Sequence, residues 1–153
     1  MKAIIETTLP VSAKVVWSQV KLSRTLQYIC SGLLRFGEAQ QFPKCWEPGQ
    51  ILTTRLYLFE FIPLWKHQLR FCAVDDINLQ LVTEEGGGLV KVWNHTIEVQ
   101  TCNLKDCQIR SEHCHYRDIV EIQAGMLTPL IYGFAHLLYR YRQKRWQNWV
   151  KKN

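Results

Sequence analysis

The residues best able to do chemistry lie in two stretches of the second half of the chain, Val90 to Thr101 and Gln108 to Ala124. If both are strands, alternation puts Trp93, His95, Ile97 and Val99 on one face of the first, and Tyr116, Asp118, Val120, Ile122 and Ala124 on one face of the second. His95 then sits among apolar neighbours. A carboxylate from Asp118 on an adjacent strand could orient and charge its imidazole for general acid or base work, and the Tyr116 hydroxyl could position a ligand oxygen. A buried His–Asp pair that only satisfies its own hydrogen bonds is the plainer account of the same residues. The alternation changes phase within His113-Cys114-His115-Tyr116, which predicts a bulge there.

Other candidates carry less. His113, Cys114 and His115 are nominal metal ligands, but in a strand the two histidines share a face that Cys114 does not, and no further ligand has a recognisable spacing. No metal and no cofactor are expected. Six cysteines without a signal-peptide pattern read as free thiols; Cys102 and Cys107 flank an Asn-Leu-Lys-Asp loop across which they could face each other. Arg145 and Arg55 interrupt apolar faces. Either could meet a ligand carboxylate or phosphate, or reach water along its own stem.

These residues need elements to hold them. Lys2 to Leu9 reads as a strand closed by Pro10, Ser12 caps a short helix containing Val15, Val16 and Val20, and Ser23 caps a second that stops at Ser31-Gly32. Strand-like runs follow at Leu33 to Ala39, Ile51 to Phe61, His67 to Val74 and Ile77 to Glu84. Ile51 to Phe61 is apolar on both faces and predicts a central strand covered on both sides. Asp75-Asp76 marks a turn, and Gly86-Gly87-Gly88 a flexible one without the spacing of a phosphate cradle.

The last stretch, Met126 to Lys151, predicts a long helix started by Thr128-Pro129. Its apolar stripe is Leu127, Leu130, Ile131, Phe134, Leu138 and Tyr141; His136, Arg140, Gln143, Lys144, Gln147 and Lys151 fall opposite, with Tyr132, Tyr139 and Trp146 on a flank. One long amphipathic helix beside this many strands predicts an α+β domain, a strongly curved antiparallel sheet of about seven strands wrapped around the helix. A cavity between them is a common place for a small ligand.

At 153 residues and 47% hydrophobic content, one domain spanning 1–153 is expected. No apolar run approaches a membrane span, so the chain reads as soluble and cytoplasmic. The net charge of +6 belongs to the terminal helix, in Arg140, Arg142, Lys144, Arg145, Lys151 and Lys152; the rest balances at 13 basic and 13 acidic residues. Those six could make a weak contact with an anionic surface, or serve only the helix dipole and solvation.

Several motifs occur in a familiar order. Glu6-Thr7-Thr8-Leu9-Pro10-Val11-Ser12-Ala13-Lys14-Val15-Val16-Trp17, then Ile62-Pro63-Leu64-Trp65, Trp93-Asn94-His95-Thr96-Ile97 and Asp118-Ile119-Val120-Glu121-Ile122 together resemble the START-like (SRPBCC, helix-grip) superfamily over nearly the whole chain. The chain departs from the branch that carries these motifs in having one His after Trp93, and Ile122 in place of an aromatic. The resemblance implies a deep apolar pocket and a role in lipid or hydrophobic-ligand transport, polyketide cyclisation or dehydration, or hormone sensing.

Three functions follow as expectations. The first is binding or transport of a hydrophobic small molecule, with a lining of Tyr57, Phe59, Leu69, Phe71, Leu79, Leu81, Trp93, His95, Tyr116 and Asp118 from the sheet and Leu130, Phe134, Leu138 and Tyr141 from the helix. The second is an enzyme acting on a hydrophobic carbonyl compound through His95 and Asp118. The third uses the basic terminal helix on nucleic acid or lipid, where Arg142, Arg145, Trp146 and Trp149 could stack on bases. No nucleic-acid motif accompanies them, so no specific nucleic acid is expected.

Overall fold

A computed structural model describes residues 1–102 and 112–152. Seven antiparallel strands form one sheet: β1 (Lys2–Leu9), β2 (Leu34–Phe36), β3 (Ile51–Leu58), β4 (Ile62–Asp75), β5 (Gln80–Gly86), β6 (Val92–Thr101) and β7 (Cys114–Gln123). Their order across the sheet is β1-β7-β6-β5-β4-β3-β2. Consecutive strands pair from β2 through β7, while β1 pairs with β7 at the far edge. The chain crosses between the edges through two short helices, α1 (Ala13–Val20) and α2 (Ser23–Cys30). The long helix α3 (Thr128–Lys152) lies against β1, β7 and α2. This is the expected helix-grip architecture, and among the described residues no helix is long and apolar enough to cross a membrane.

Local chemistry accounts for most boundaries. The Ser12 hydroxyl accepts from the Val15 amide and caps α1. Ser23 is instead the first residue of α2, whose cap position is Leu22 with no side-chain bond. Asp75 closes the β4–β5 turn by accepting from the Ile77 and Asn78 amides, and Asp76 accepts from the Trp17 indole, tying that turn to α1. The glycine run after β5 is a site of close approach. Gly88 has φ +56°, and a Cβ there would stand 2.5 Å from the Trp65 ring, so only glycine lets the turn close over β4.

Four further expectations are corrected. β3 is next to the edge strand β2, and its outer face is uncovered: Ile51 is 58% exposed, and Phe59 and Phe61 lie beyond the strand end, with Phe59 and Glu60 at positive φ. A continuous apolar run suggests two-sided burial, but this sheet has a second layer on one face only. The strand read from Ile77 begins at Gln80; Ile77 is 91% exposed in the turn and Leu79 has φ +51°. The pairing of β7 with both neighbours is regular through Cys114 and Tyr116, and the irregular registers lie instead in β3, between Arg55 and Tyr57, and in β4, between Phe71 and Ala73. The loop between Cys102 and Cys107 lies outside the described residues.

The fourth correction concerns α3. Its buried residues are Ala135, Leu138, Tyr139, Arg142, Gln143 and Trp146, while Leu130 is 70% and Leu137 61% exposed. The buried face is turned from the expected stripe by about one residue step, roughly 100°. Two partners share this helix. The sheet takes the Leu138–Arg142–Trp146 row, and α2 takes the side bearing Tyr141 and Arg145: Tyr141 donates to the Ser31 carbonyl, and Arg145 donates to the Tyr28 carbonyl and Ser31 hydroxyl. Arg145 is thus a clasp between helices, and Trp146, 1% exposed, is unavailable to stack on a base.

Candidate functional site

A cavity of about 80 Å³ lies between the sheet, α2 and α3. By the space one water needs, it has room for roughly six water-sized groups. Most of its wall is apolar: Leu56 from β3, Leu64, Leu69 and Phe71 from β4, Leu81 from β5, Ile97 from β6, Ile29 from α2, and Phe134 and Leu138 from α3. Trp46, in the loop before β3, stacks on Phe71 at 4.5 Å between ring centroids and closes that side. The rest of the wall is polar, with His67, Thr83, Glu85, His95, Tyr116, Tyr139 and Arg142.

Strand pairing gathers the polar residues. Thr83 of β5 stands opposite His95 of β6, and His95 stands opposite Val120 of β7, two residues from Asp118 on the same buried face. His95 Nε2 lies 2.8 Å from Asp118 Oδ1, so against a carboxylate the ring donates from that nitrogen. Tyr116 donates to the same oxygen at 3.2 Å, and Gln143 donates to Oδ2 at 3.3 Å. Asp118 has no exposed surface and sits behind the lining residues. The expected pair is formed, and α3 holds it from the other side.

A second imidazole–carboxylate pair stands across the cavity wall. His67 Nε2 lies 3.0 Å from Glu85 Oε2, and the Thr83 hydroxyl donates to Glu85 Oε1. Burial pushes the Glu85 carboxyl up, but the bond to His67, the charges of His67 and His95, and the Thr83 hydroxyl outweigh it and hold the group below the usual carboxylate range. Parity already contained this pair: His67 alternates in step with Leu69 and Phe71, and Glu85 with Leu81 and Thr83. A run bounded at Ile77 and Glu84 stops one residue short of Glu85, which hides the pair.

Burial also sets the other ionisable groups. It raises the Cys30 thiol to about 11 and, with the nearby Asp118 charge, the Tyr116 hydroxyl well above its ordinary value. Tyr139 is raised in the same way, and its hydroxyl accepts from the Trp93 indole at 3.0 Å. For Arg142 burial opposes the charge, the Asp118 carboxylate is the largest influence favouring it, and the guanidinium stays protonated. Among the described residues four buried side-chain polar atoms lack a hydrogen bond: Trp65 Nε1, His67 Nδ1, Arg142 Nε and Trp146 Nε1. All four belong to residues of the cavity wall.

Of the residues expected to line a pocket, Leu69, Phe71, Leu81, Trp93, His95, Tyr116, Phe134 and Leu138 do so. Tyr57 faces away, with the Arg35 guanidinium 3.9 Å over its ring; Phe59 and Leu130 are exposed; Leu79 is in the turn before β5; Tyr141 binds α2. Arg142, read as a surface cation, is 4% exposed. It occupies the i, i+4, i+8 row between Leu138 and Trp146, which was the available signal. Among the described residues no cluster of three His, Cys, Asp or Glu could hold a metal ion.

No protein-family model matches the chain, and no curated protein matches it in sequence. Solved structures do match. Protein CV1439 from Chromobacterium violaceum superposes with TM-score 0.70 at 11% identity, over 97% of this chain and 96% of that one. Norcoclaurine synthase from Thalictrum flavum, in complex with dopamine and hydroxybenzaldehyde, gives 0.66 at 16% identity, over 100% and 88%. A START superfamily protein from Mycobacterium smegmatis gives 0.64 at 12% identity, over 99% and 97%. At these identities the likeness is one of fold.

Proposed function

From the START-like, helix-grip fold that this chain shares with those structures, we propose that it binds a small, largely hydrophobic molecule in the cavity between the sheet and α3. The observation that carries this is the division of one interior space into a broad apolar wall and a compact polar end. Burial of the ligand's apolar surface would supply most of the affinity, at about 25 cal/mol per Å². The polar end would fix its orientation. The small volume favours a compact ligand over a long acyl chain, which would have to part α2 and α3. Native mass spectrometry of protein purified from its own host, followed by extraction and identification of any bound compound, tests the proposal. Filling the cavity with Leu138→Trp should abolish the adduct while the circular dichroism spectrum persists. An adduct that survives this substitution would place the ligand elsewhere and sink the proposal.

A second reading has its own observation, the 2.8 Å contact between His95 and Asp118 at the cavity wall. It supports acid/base chemistry on a hydrophobic carbonyl compound, with His95 moving the proton, Asp118 holding the imidazole and Tyr116 orienting the substrate oxygen. Norcoclaurine synthase shows that an enzyme can be built on this fold. Turnover of the identified ligand that persists in His95→Gln with Asp118→Asn would end this reading and leave the binding role intact.

A further inference from the structure

Arg142 is a buried cation with an unmet hydrogen-bonding requirement. Its side chain is 5% exposed, its Nε has no acceptor, and its nearest carboxylate oxygen, Asp118 Oδ1, is 3.9 Å from the guanidinium NH2 group, too far for a good hydrogen bond. The Tyr139 ring covers it at 4.7 Å, which shields the charge without supplying an acceptor. An arginine cannot shed its proton to escape this position.

The two carboxylates of the polar end, buried Asp118 and partly buried Glu85, are engaged elsewhere. Asp118 receives His95 and Tyr116 on Oδ1 and Gln143 on Oδ2; Glu85 receives Thr83 on Oε1 and His67 on Oε2. The neighbouring thiol and phenols stay neutral, since burial raises Cys30 to about 11 and both Tyr116 and Tyr139 well above their ordinary range. The guanidinium therefore faces a cavity in which no protein group is placed to accept from its Nε. Its planar fork matches a carboxylate, which can take two parallel N–H bonds, better than it matches a single carbonyl oxygen.

We propose that Arg142 is the anchor for a ligand carboxylate, so that the cavity takes a small organic acid with a compact apolar body. This rests on the ligand-binding reading and narrows it. Arg142 projects from α3 beside Leu138, so the acid group would sit at the polar end while the body lies along Leu138, Phe134 and the β4 residues Leu69 and Phe71. The size of the space suits a ligand of roughly six to ten non-hydrogen atoms in all, acid group included, since bonded atoms take less room than separate waters. Trp65 Nε1 and His67 Nδ1, unpaired on the same wall and two residues apart on β4, would be within reach of a further oxygen on such a ligand.

The test compares phenylacetate with phenylacetamide and 2-phenylethanol, which keep the aromatic body and lose the charge. Titration calorimetry at neutral pH, with chemical-shift mapping on isotope-labelled protein, should show the carboxylate binding at least tenfold more tightly and perturbing cavity residues. In Arg142→Met the preference should vanish while the neutral compounds still bind, and Arg142→Lys should keep part of it. The wild-type comparison needs no variant to fold. Equal or tighter binding of the neutral compounds would overturn the acid and leave the cavity as a neutral-ligand site. No cavity perturbation by any of the three at millimolar concentration would sink the small-ligand reading and this one with it.

Discussion

The two imidazole–carboxylate pairs of this molecule are built from the same side-chain chemistry and do different work. His95–Asp118 joins β6 to β7 and is bound from outside the sheet by Gln143 of α3, with Asp118 sealed from solvent. His67–Glu85 joins β4 to β5, takes its remaining hydroxyl from Thr83 of the same sheet, keeps 11% of the Glu85 side chain exposed and leaves His67 Nδ1 unpaired. The first pair is a tie between layers. The second is held by one layer and has a ring nitrogen to spare. A buried carboxylate is thus defined less by its imidazole than by how many elements converge on it.

Removing Asp118 should have the largest effect. Asp118→Ala strips the acceptor from His95, Tyr116 and Gln143 and the nearest anion from Arg142, and should cost about 3–5 kcal/mol, the range for an uncompensated buried ionic group. Urea denaturation measures it. A loss no greater than that of Glu85→Gln would erase the distinction between the two pairs.

Glu85→Gln should cost less, about 1–3 kcal/mol, because one hydrogen-bonded oxygen is exchanged for an amide within the same sheet. Its pH dependence sharpens the contrast. The folded carboxyl titrates below its ordinary value of 4.5. Its contribution is therefore fully present above that value and is lost as pH falls through the lower folded pKa. The stability gap between wild type and Glu85→Gln should stay constant above about pH 6 and narrow below about pH 4. A gap that widens on acidification would contradict the assigned direction.

Gly88→Ala probes the turn that follows β5 and closes over Trp65 of β4, two residues before His67 of the second pair. Its positive φ and the 2.5 Å approach of a Cβ to the indole should cost about 1–2 kcal/mol and shift tryptophan fluorescence. Thermal melting with unchanged midpoint and emission would show that the turn relaxes freely. The smallest change is expected at Leu130→Gln, on the part of α3 that touches neither pair: within about 0.5 kcal/mol, with ligand affinity unaltered. A loss above about 2 kcal/mol would restore Leu130 to the buried stripe.

Much of this was legible before any tertiary structure. Alternation within each strand placed His95 beside apolar neighbours and Asp118 in step with Tyr116 and Val120, and the Asx turn at Asp75 and the Ser12 cap follow from side chains that bond to amides a few residues away. Such features are local, so one window of sequence contains both partners. The element order was legible for the same reason. What failed were particular judgements about which face meets what: the outer side of β3, the exposed Ile77, and above all the rotation of α3, where Leu130 and Leu137 lie outside while Arg142 and Gln143 lie inside.

That rotation marks the boundary between the two kinds of knowledge. Residue identity alone indicated the element order, the fold class and the strand faces on which His95 and Asp118 could meet, because 2.0- and 3.6-residue periods are properties of the backbone. Only the packed molecule decided that Arg142 is a buried cation at a cavity instead of part of a basic surface. The helix has two partners, α2 and the sheet, and the angle that satisfies both cannot be read from the hydrophobicity of the helix itself.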